Sequence, residues 1–415
     1  MSAPKLRFKE FDGEWNIVKL KNCIASIDSG WSPQCDSYPA DLNEWGVLKT
    51  TSVDWSGFKE SANKRLPDNL KPRLEIEVKP DDILVTRAGP TERVGVVSVV
   101  PKGVRSHLLI SDKLIRLKNN KQNDPKFLGI TLASSRCQNQ LQSKTSGLAK
   151  SQTNISQKIL LEVSLQTPAK EEQMKIATFL SAVDEKSAQL SQKRHLLGQY
   201  KQGMMQKLFS QKIRFKADDG SEFGEWKLIS IKEAVSFIKD GTHGTHQDDQ
   251  NSELFLLSAK NLQNGRIKID ERDRKINQKE FDSIYKNYTL EAGDILLSVV
   301  GTIGRVAIFK ENYKAYAFQR SVAFMRFKES LPEFIYQLFL ANDFQNELLV
   351  RQVVSAQPGI YLGDLSKIEI SLPCLDEQTK IANFLSAIDQ KIDVVSTQLK
   401  QAKIWKKGLL QQMFV

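Results

Sequence analysis

Glu172-Gln173-Met174-Lys175-Ile176-Ala177-Thr178-Phe179-Leu180-Ser181-Ala182-Val183-Asp184 decides the architecture, because it returns as Glu377-Gln378-Thr379-Lys380-Ile381-Ala382-Asn383-Phe384-Leu385-Ser386-Ala387-Ile388-Asp389, 205 residues later. Residues 171–210 and 376–415 align without a gap and are identical at 16 of 40 positions. In the second copy the rows Ile381, Ile388, Val395, Ala402, Leu409 and Leu385, Ile392, Leu399, Lys406, Met413 follow coiled-coil spacing, with Lys406 the one polar member. In the first copy Ile176, Val183, Leu190, Leu197, Met204 form a solid row, while Leu180, Ser187, Arg194, Lys201, Leu208 are interrupted. A proline precedes each stretch (Pro168, Pro373), acids open it (Glu171-Glu172; Asp376-Glu377) and lysines gather late (Lys201, Lys207; Lys403, Lys406, Lys407). That order blocks a helix from upstream and complements the dipole at both ends. Two helices of about 60 Å are predicted, packed antiparallel if a pseudo-two-fold axis relates the copies.

The repeat extends outward from these helices. Arg7-Phe8-Lys9 and Gly13-Glu14-Trp15 return as Arg214-Phe215-Lys216 and Gly224-Glu225-Trp226. Leu20, Ile24, Ile27 before Gly30 match Ile231, Val235, Ile238 before Gly241. Asp82-Ile83-Leu84-Val85 with Gly89 and Arg93 matches Asp294-Ile295-Leu296-Leu297 with Gly301 and Arg305. Order is kept and the offset drifts only between 205 and 212, so the chain is a tandem duplication. Residues 1–170 and 211–375 are predicted as two mixed α+β modules, with strands at 82–85, 94–100, 294–299 and 306–309 and helices at 125–140 and 332–349.

Bulk properties bound the function. Of 415 residues, 40% are hydrophobic and 26% charged, a globular composition with room for two or three cores. No apolar run is long enough for a membrane span, and the start has no secretory leader pattern. Cys23, Cys35, Cys137 and Cys374 are scattered, as expected of reduced thiols in a cytoplasmic protein. The net charge of +11 suggests a polyanionic partner. It is unevenly shared: residues 1–170 carry +8 and residues 211–375 carry −1.

Catalytic patterns are sparse. The chain has no GxxxxGK[ST] phosphate loop, no GxGxxG after a strand, and no Asn/Asp-Pro-Pro-aromatic tetrapeptide of amino-methyltransferases. His243 and His246 lack further ligands at a convincing spacing, so no metal site is expected. Pro67-Asp68 with Glu77-Val78-Lys79 formally fits a Mg²⁺-dependent nuclease pattern, but Pro72 interrupts it and the second module has no counterpart. A coiled-coil scaffold that docks a protein without DNA is the competing class.

These paired motifs, in order and in two copies, resemble the specificity subunit of type I restriction–modification enzymes (HsdS) over essentially the whole chain. One departure is Trp31, where a small residue is more usual. The resemblance implies an α+β fold of two pseudo-symmetric target-recognition domains, 1–170 and 211–375, joined by two long antiparallel coiled-coil helices, 171–210 and 376–415. Each domain would read one half of a bipartite target in double-stranded DNA, and the helices would set the spacer. The chain would be non-catalytic and hold no cofactor. Two modification subunits (HsdM) would bind S-adenosylmethionine and methylate adenine, and HsdR motor-nuclease subunits would use ATP and Mg²⁺.

Phosphates and base edges are contacted by Arg, Lys, Asn, Gln and hydroxyl side chains on turns beside rigid sheets. The candidates in the first module are Ser32, Lys49, Thr50, Thr51, Arg87, Arg93, Lys150, Ser151, Gln152 and Asn154. Those in the second are Thr242, His243, Thr245, Lys260, Asn261, Arg305, Gln319, Arg320 and Gln357.

Overall fold

The computed structural model describes residues 4–145, 153–310, 315–353 and 358–414. They form two compact units, Met1–Leu190 with Gln398–Val415, and Ser191–Thr397. Each unit takes one module and a part of both long helices.

The first unit contains strands β1 (Asn16–Lys19), β2 (Ile24–Ser29), β3 (Gly46–Leu48), β4 (Ile83–Thr86), β5 (Val97–Val99), β6 (Leu114–Asn119) and β7 (Ser164–Thr167), with helices α1 (Pro125–Leu132), α2 (Ser135–Gln142) and the start of α3 (Lys170–Phe209). The order β2-β6-β4-β5 makes an antiparallel sheet, and β1 pairs with β7. The apolar run of β4 is buried at every position, as expected of a central strand covered on both faces. Val97–Val99 are shorter than the expected 94–100 strand because Gly95, at φ +83°, turns the chain first.

The second unit repeats this plan with β8 (Lys227–Ser230), β9 (Val235–Asp240), β10 (Leu254–Leu257), β11 (Ile295–Ser298), β12 (Val306–Ile308), β13 (Val322–Phe327) and β14 (Glu369–Leu372). Its sheet runs β9-β13-β11-β12, again antiparallel. Besides the end of α3 and two four-residue turns of helix, it contains α4 (Gln278–Tyr285), α5 (Pro332–Leu340), α6 (Asn342–Val350) and α7 (Leu375–Met413). Between β3 and β4 of the first unit no α-helix stands where α4 lies. The single helices expected at 125–140 and 332–349 are each two, because Ser134 and Ala341 take extended backbone and start a new helix.

The helix pair is antiparallel within each unit. In the first, Ile176, Ala177, Leu180 and Val183 of α3 bury against Leu409 and Met413 near the end of α7, with Trp15 and Phe127. In the second, Met205 and Leu208 near the end of α3 join Ile381, Ala382, Leu385 and Ile388 near the start of α7. The seam moves from the expected Met204 to Met205, the drift of a 3.6-residue helix against a seven-residue repeat. Both lysines that interrupt the seam are neutralised: Lys406 reaches Asp184 at 2.5 Å and Lys201 reaches Asp389 at 2.7 Å.

The repeated motifs find one shared purpose in fastening module to helix. Glu172, 1% exposed, accepts two bonds from the Arg7 guanidinium at 2.7 Å and one from Trp15 Nε1 at 3.3 Å. Glu377, 0% exposed, accepts from Arg214 at 3.0 and 2.7 Å and from Trp226 Nε1 at 3.0 Å. Gln173 and Gln378 donate to the carbonyls of Pro168 and Pro373, and accept the N–H of Asp124 and of Leu331 where α1 and α5 begin. A buried carboxylate is tolerable only when its lone pairs are met by such donors.

Candidate nucleic-acid interface

The candidate surface is built from turns at one end of each antiparallel sheet. A Cβ on Gly30 would lie 1.7 Å from the Ile110 carbonyl oxygen, and one on Gly241 would lie 2.2 Å from that of Phe318. Only glycine allows the chain leaving β2 or β9 to pass this close to a neighbouring backbone. Gly30 and Trp31 donate to the Ser111 and Ile110 carbonyls, and Gly241 and Thr242 to those of Val322 and Phe318. The turn after each glycine is thereby set beside residues 110–113 or 318–321.

In the first unit this gathers several candidates. Ser32 is exposed and bonds the Asp112 carboxylate. The half-buried Trp31 carries the Arg73 guanidinium 4.3 Å above its ring. Arg87 donates its N–H to Lys113 and accepts from Ile155, and among the described residues its guanidinium has no partner. Asn154 is exposed on a two-residue strand that pairs with Ala88–Gly89. Lys49, Thr50 and Thr51 enter a 3-10 turn, with Thr51 exposed. Lys150, Ser151 and Gln152 lie outside the described residues.

Arg93 has a different place from the one its type suggests. Its guanidinium reaches Asp54 at 3.0 Å and the carbonyls of Val53 and Thr50 at 2.7 and 3.2 Å. The Ser56 hydroxyl and N–H, aided by Arg93, hold Asp54 below the usual carboxylate range. Arg305 is its counterpart, donating to the carbonyls of Ala259 and Lys260 at 3.4 and 3.3 Å. Both arginines fasten the turn after β3 or β10.

In the second unit Thr242, Gln319 and Arg320 are brought together: Thr242 bridges to Gln319, and Arg320 donates its N–H to the Thr242 carbonyl. Arg320 is exposed and its guanidinium has no partner among the described residues. His243 and Thr245 are exposed, with His243 Nε2 2.8 Å from Asp240. Lys260 contacts Asp273 at 2.6 Å, which raises its ammonium pKa above the ordinary value. Asn261 is buried, donating to Asp273 at 2.8 Å and to the Lys268 carbonyl at 2.9 Å, so its amide holds the turn. Gln357 lies outside the described residues.

His246 and Glu280 were not among the candidates, yet Thr242 Oγ1, His246 and Glu280 form a continuous chain at 2.7 and 2.6 Å. His243 and His246 thus face different carboxylates, and no group of three or more metal-ligating side chains is gathered among the described residues. The nuclease pattern also disperses: Asp68 pairs with Arg65 at 2.7 Å, while Glu77 takes the His107 N–H and Lys79. No described helix is long and apolar enough to cross a membrane.

Two copies of a mixed α+β module, each fastened by a buried glutamate to an antiparallel helix pair and each presenting polar turns, define a duplicated recognition subunit. The chain belongs to the family of the type I restriction modification DNA specificity domain, whose model matches residues 53–197 and 224–403. It is 41% identical over 164 residues to the type I restriction enzyme EcoEI specificity subunit of Escherichia coli, a match covering 39% of this chain and 27% of that protein. It is 27% identical over 426 residues to the MjaVIII specificity subunit of Methanocaldococcus jannaschii, covering 97% and 94%. The crystal structure of a type I S subunit from M. genitalium shares the fold at a TM-score of 0.63 and 16% identity, covering 100% of this chain and 99% of that one.

Proposed function

We propose that this chain is the non-catalytic DNA-reading subunit of a type I restriction–modification complex, each module recognising one half of a bipartite target and the helix pair setting the spacer. One contrast carries the reading: the two copies share their buried framework and differ at their exposed turns. The glutamate clamps, the Gly30 and Gly241 approaches and the arginines Arg93 and Arg305 recur in both. Trp31-Ser32-Pro33 and Thr242-His243-Gly244 do not match, as expected of two heads built to read different base sequences. Arg87, Asn154 and Arg320 are well placed for contact because none is buried and their main chains are hydrogen-bonded to the framework, and His243 and Thr245 are exposed on the turn after β9. Lys49, Thr50 and Thr51 join them on the turn that Arg93 holds.

A second repeated feature, on the outside of the helices, supports a reading of the partners. Trp405 and Tyr200 are equivalent, 54% and 52% exposed, and each stands three residues before a helical glycine, Gly408 or Gly203. A Cβ at either glycine would meet nothing among the described residues, so no contact there demands glycine, although each costs its helix about 1 kcal/mol relative to alanine. Exposed Ala182 and Ala387 are likewise identical in the two copies. Bare helix beside an exposed aromatic, present once in each unit, suits two copies of one partner that approaches closely. We assign that partner to the modification subunit, with S-adenosylmethionine bound there and ATP and Mg²⁺ used by the restriction subunits, all in the cytoplasm.

The test is co-expression with the modification subunit followed by sequencing of methylated bases in the host DNA. A bipartite adenine motif with a fixed gap is expected. Absence of new methylation, or a single uninterrupted motif, contradicts the proposal.

A further inference from the structure

The turn after β9 carries His243 and Thr245, yet its main chain is scarcely held. Thr242 is tied by its N–H to Phe318 and by its carbonyl to Arg320, and the next backbone donor is Asp249, bonded to Lys275 at 2.9 Å. Residues 243–246 make no backbone-to-backbone bond among the described residues, and pairing resumes at the Asp248–Ile276 bridge. Their shape depends on side chains. Thr242 Oγ1 accepts the Gly244 N–H at 3.3 Å and lies 2.7 Å from His246 Nε2. His246 Nδ1 lies 2.6 Å from Glu280, and Arg274 donates to the His246 carbonyl at 2.8 Å. A carboxylate can only accept, so His246 Nδ1–H donates to Glu280, and Nε2 shares the second hydrogen bond with the Thr242 hydroxyl.

The far end of this chain is rigid. Glu280 sits in the first turn of α4, capped by Asn277, which accepts the Glu280 N–H at 2.9 Å, and Phe281 and Ile284 of the same helix are buried. His246 itself is nearly enclosed, its side chain 9% exposed, whereas His243 is 64% exposed. The first unit has no counterpart: Trp31 replaces Thr242, Arg73 stacks on it, and no helix corresponds to α4.

We propose that His246, oriented by Glu280, is a positioning residue for target recognition by the second module. It fixes the 242–246 turn in the one conformation that presents His243 and Thr245. This rests on the DNA-reading function above. Without the imidazole bridge, five residues must be ordered at the moment of binding, and the selectivity of that turn for its half-site falls while the other module is unaffected.

The experiment uses the full chain assembled with its modification subunit and three duplexes: cognate, altered in the first half-site, and altered in the second. His246→Ala and Glu280→Ala are expected to lower discrimination about tenfold at the half-site that Arg320→Ala also affects, and to leave the other ratio unchanged. Glu280→Gln, which keeps an acceptor for Nδ1–H, retains most of the discrimination, and Thr242→Ser outperforms Thr242→Val. Hydrogen exchange at 243–247 quickens in His246→Ala while the sheet amides stay protected, which separates loosening from unfolding. Unchanged discrimination in His246→Ala, or equal loss at both half-sites, overturns the proposal. If the parent complex shows no bipartite preference, the DNA-reading function fails first.

Discussion

Glu172→Ala tests how the modules are fastened. The substitution removes a carboxylate that is 1% exposed and that receives two bonds from Arg7 at 2.7 Å and one from Trp15 at 3.3 Å. Breaking one partner of a buried ion pair costs about 3–5 kcal/mol. The Arg7 side chain retains some solvent access, at 14%, so the charge can be partly rehydrated and the lower end, about 3 kcal/mol, applies. The Trp15 N–H, left in a buried indole, adds about 1 kcal/mol. For a unit of this size each kcal/mol moves the melting midpoint by about 2–4 °C, so a drop of roughly 8–16 °C is expected in calorimetry. Glu377→Ala should lower the other unit's midpoint similarly, since its Arg214 and Trp226 bonds have the same geometry. Glu172→Gln, keeping shape and one acceptor, should lose less than half as much. A shift under about 2 °C for Glu172→Ala contradicts this role, because an unpaired guanidinium only 14% exposed, together with an unpaired buried indole N–H, costs more than that.

Further outcomes follow from the same structure. Arg320→Ala should weaken discrimination at one half-site by about five- to hundredfold without moving the melting midpoint, whereas Arg305→Ala should move both, as measured by duplex binding and calorimetry. Gly203→Ala and Gly408→Ala should each stabilise the isolated chain by about 1 kcal/mol in denaturant titrations. Gly203→Leu with Gly408→Leu should abolish assembly with the modification subunit in size-exclusion chromatography, and undiminished assembly removes the proposed partner surface. Burial pushes the Cys23 thiol up to about 11 and also raises Cys137, so at pH 8 both remain protonated and shielded while Cys374 is exposed. Maleimide labelling followed by peptide mass mapping should modify Cys374 at least about tenfold faster than either.

The sequence carried the architecture because duplication writes every framework residue twice. Glu172 and Glu377, Gly30 and Gly241, and the heptad rows were visible as repeats before any contact was known; the glutamates are buried, the glycines make close backbone approaches, and the rows are buried near both helix ends, whereas Arg194 is exposed and Met204 gives way to Met205. Helix breaks at Ala133–Ser134 and Ala341 were hidden, since neither proline nor glycine marks them and a capping serine alone is a weak signal. The candidate surface was only partly legible. Residue type could not distinguish Arg93 and Arg305, turned onto backbone carbonyls, from Arg87 and Arg320, whose guanidinium groups are free among the described residues. Their recurrence at equivalent positions was the available clue, because a side chain reading different sequences has no reason to be repeated. His246 and Glu280 stand 34 residues apart and only the fold of α4 joins them.

The most direct test of the central claim is to lengthen both helices by one heptad, between Leu190 and Ser191 and between Thr397 and Gln398. Seven helical residues rise about 10.5 Å, close to the axial length of three base pairs. Methylated-base sequencing should then return both half-sites unaltered, separated by a gap about three base pairs longer. An unchanged gap, or a change in either half-site, would contradict the account of two reading heads held apart by a helical ruler.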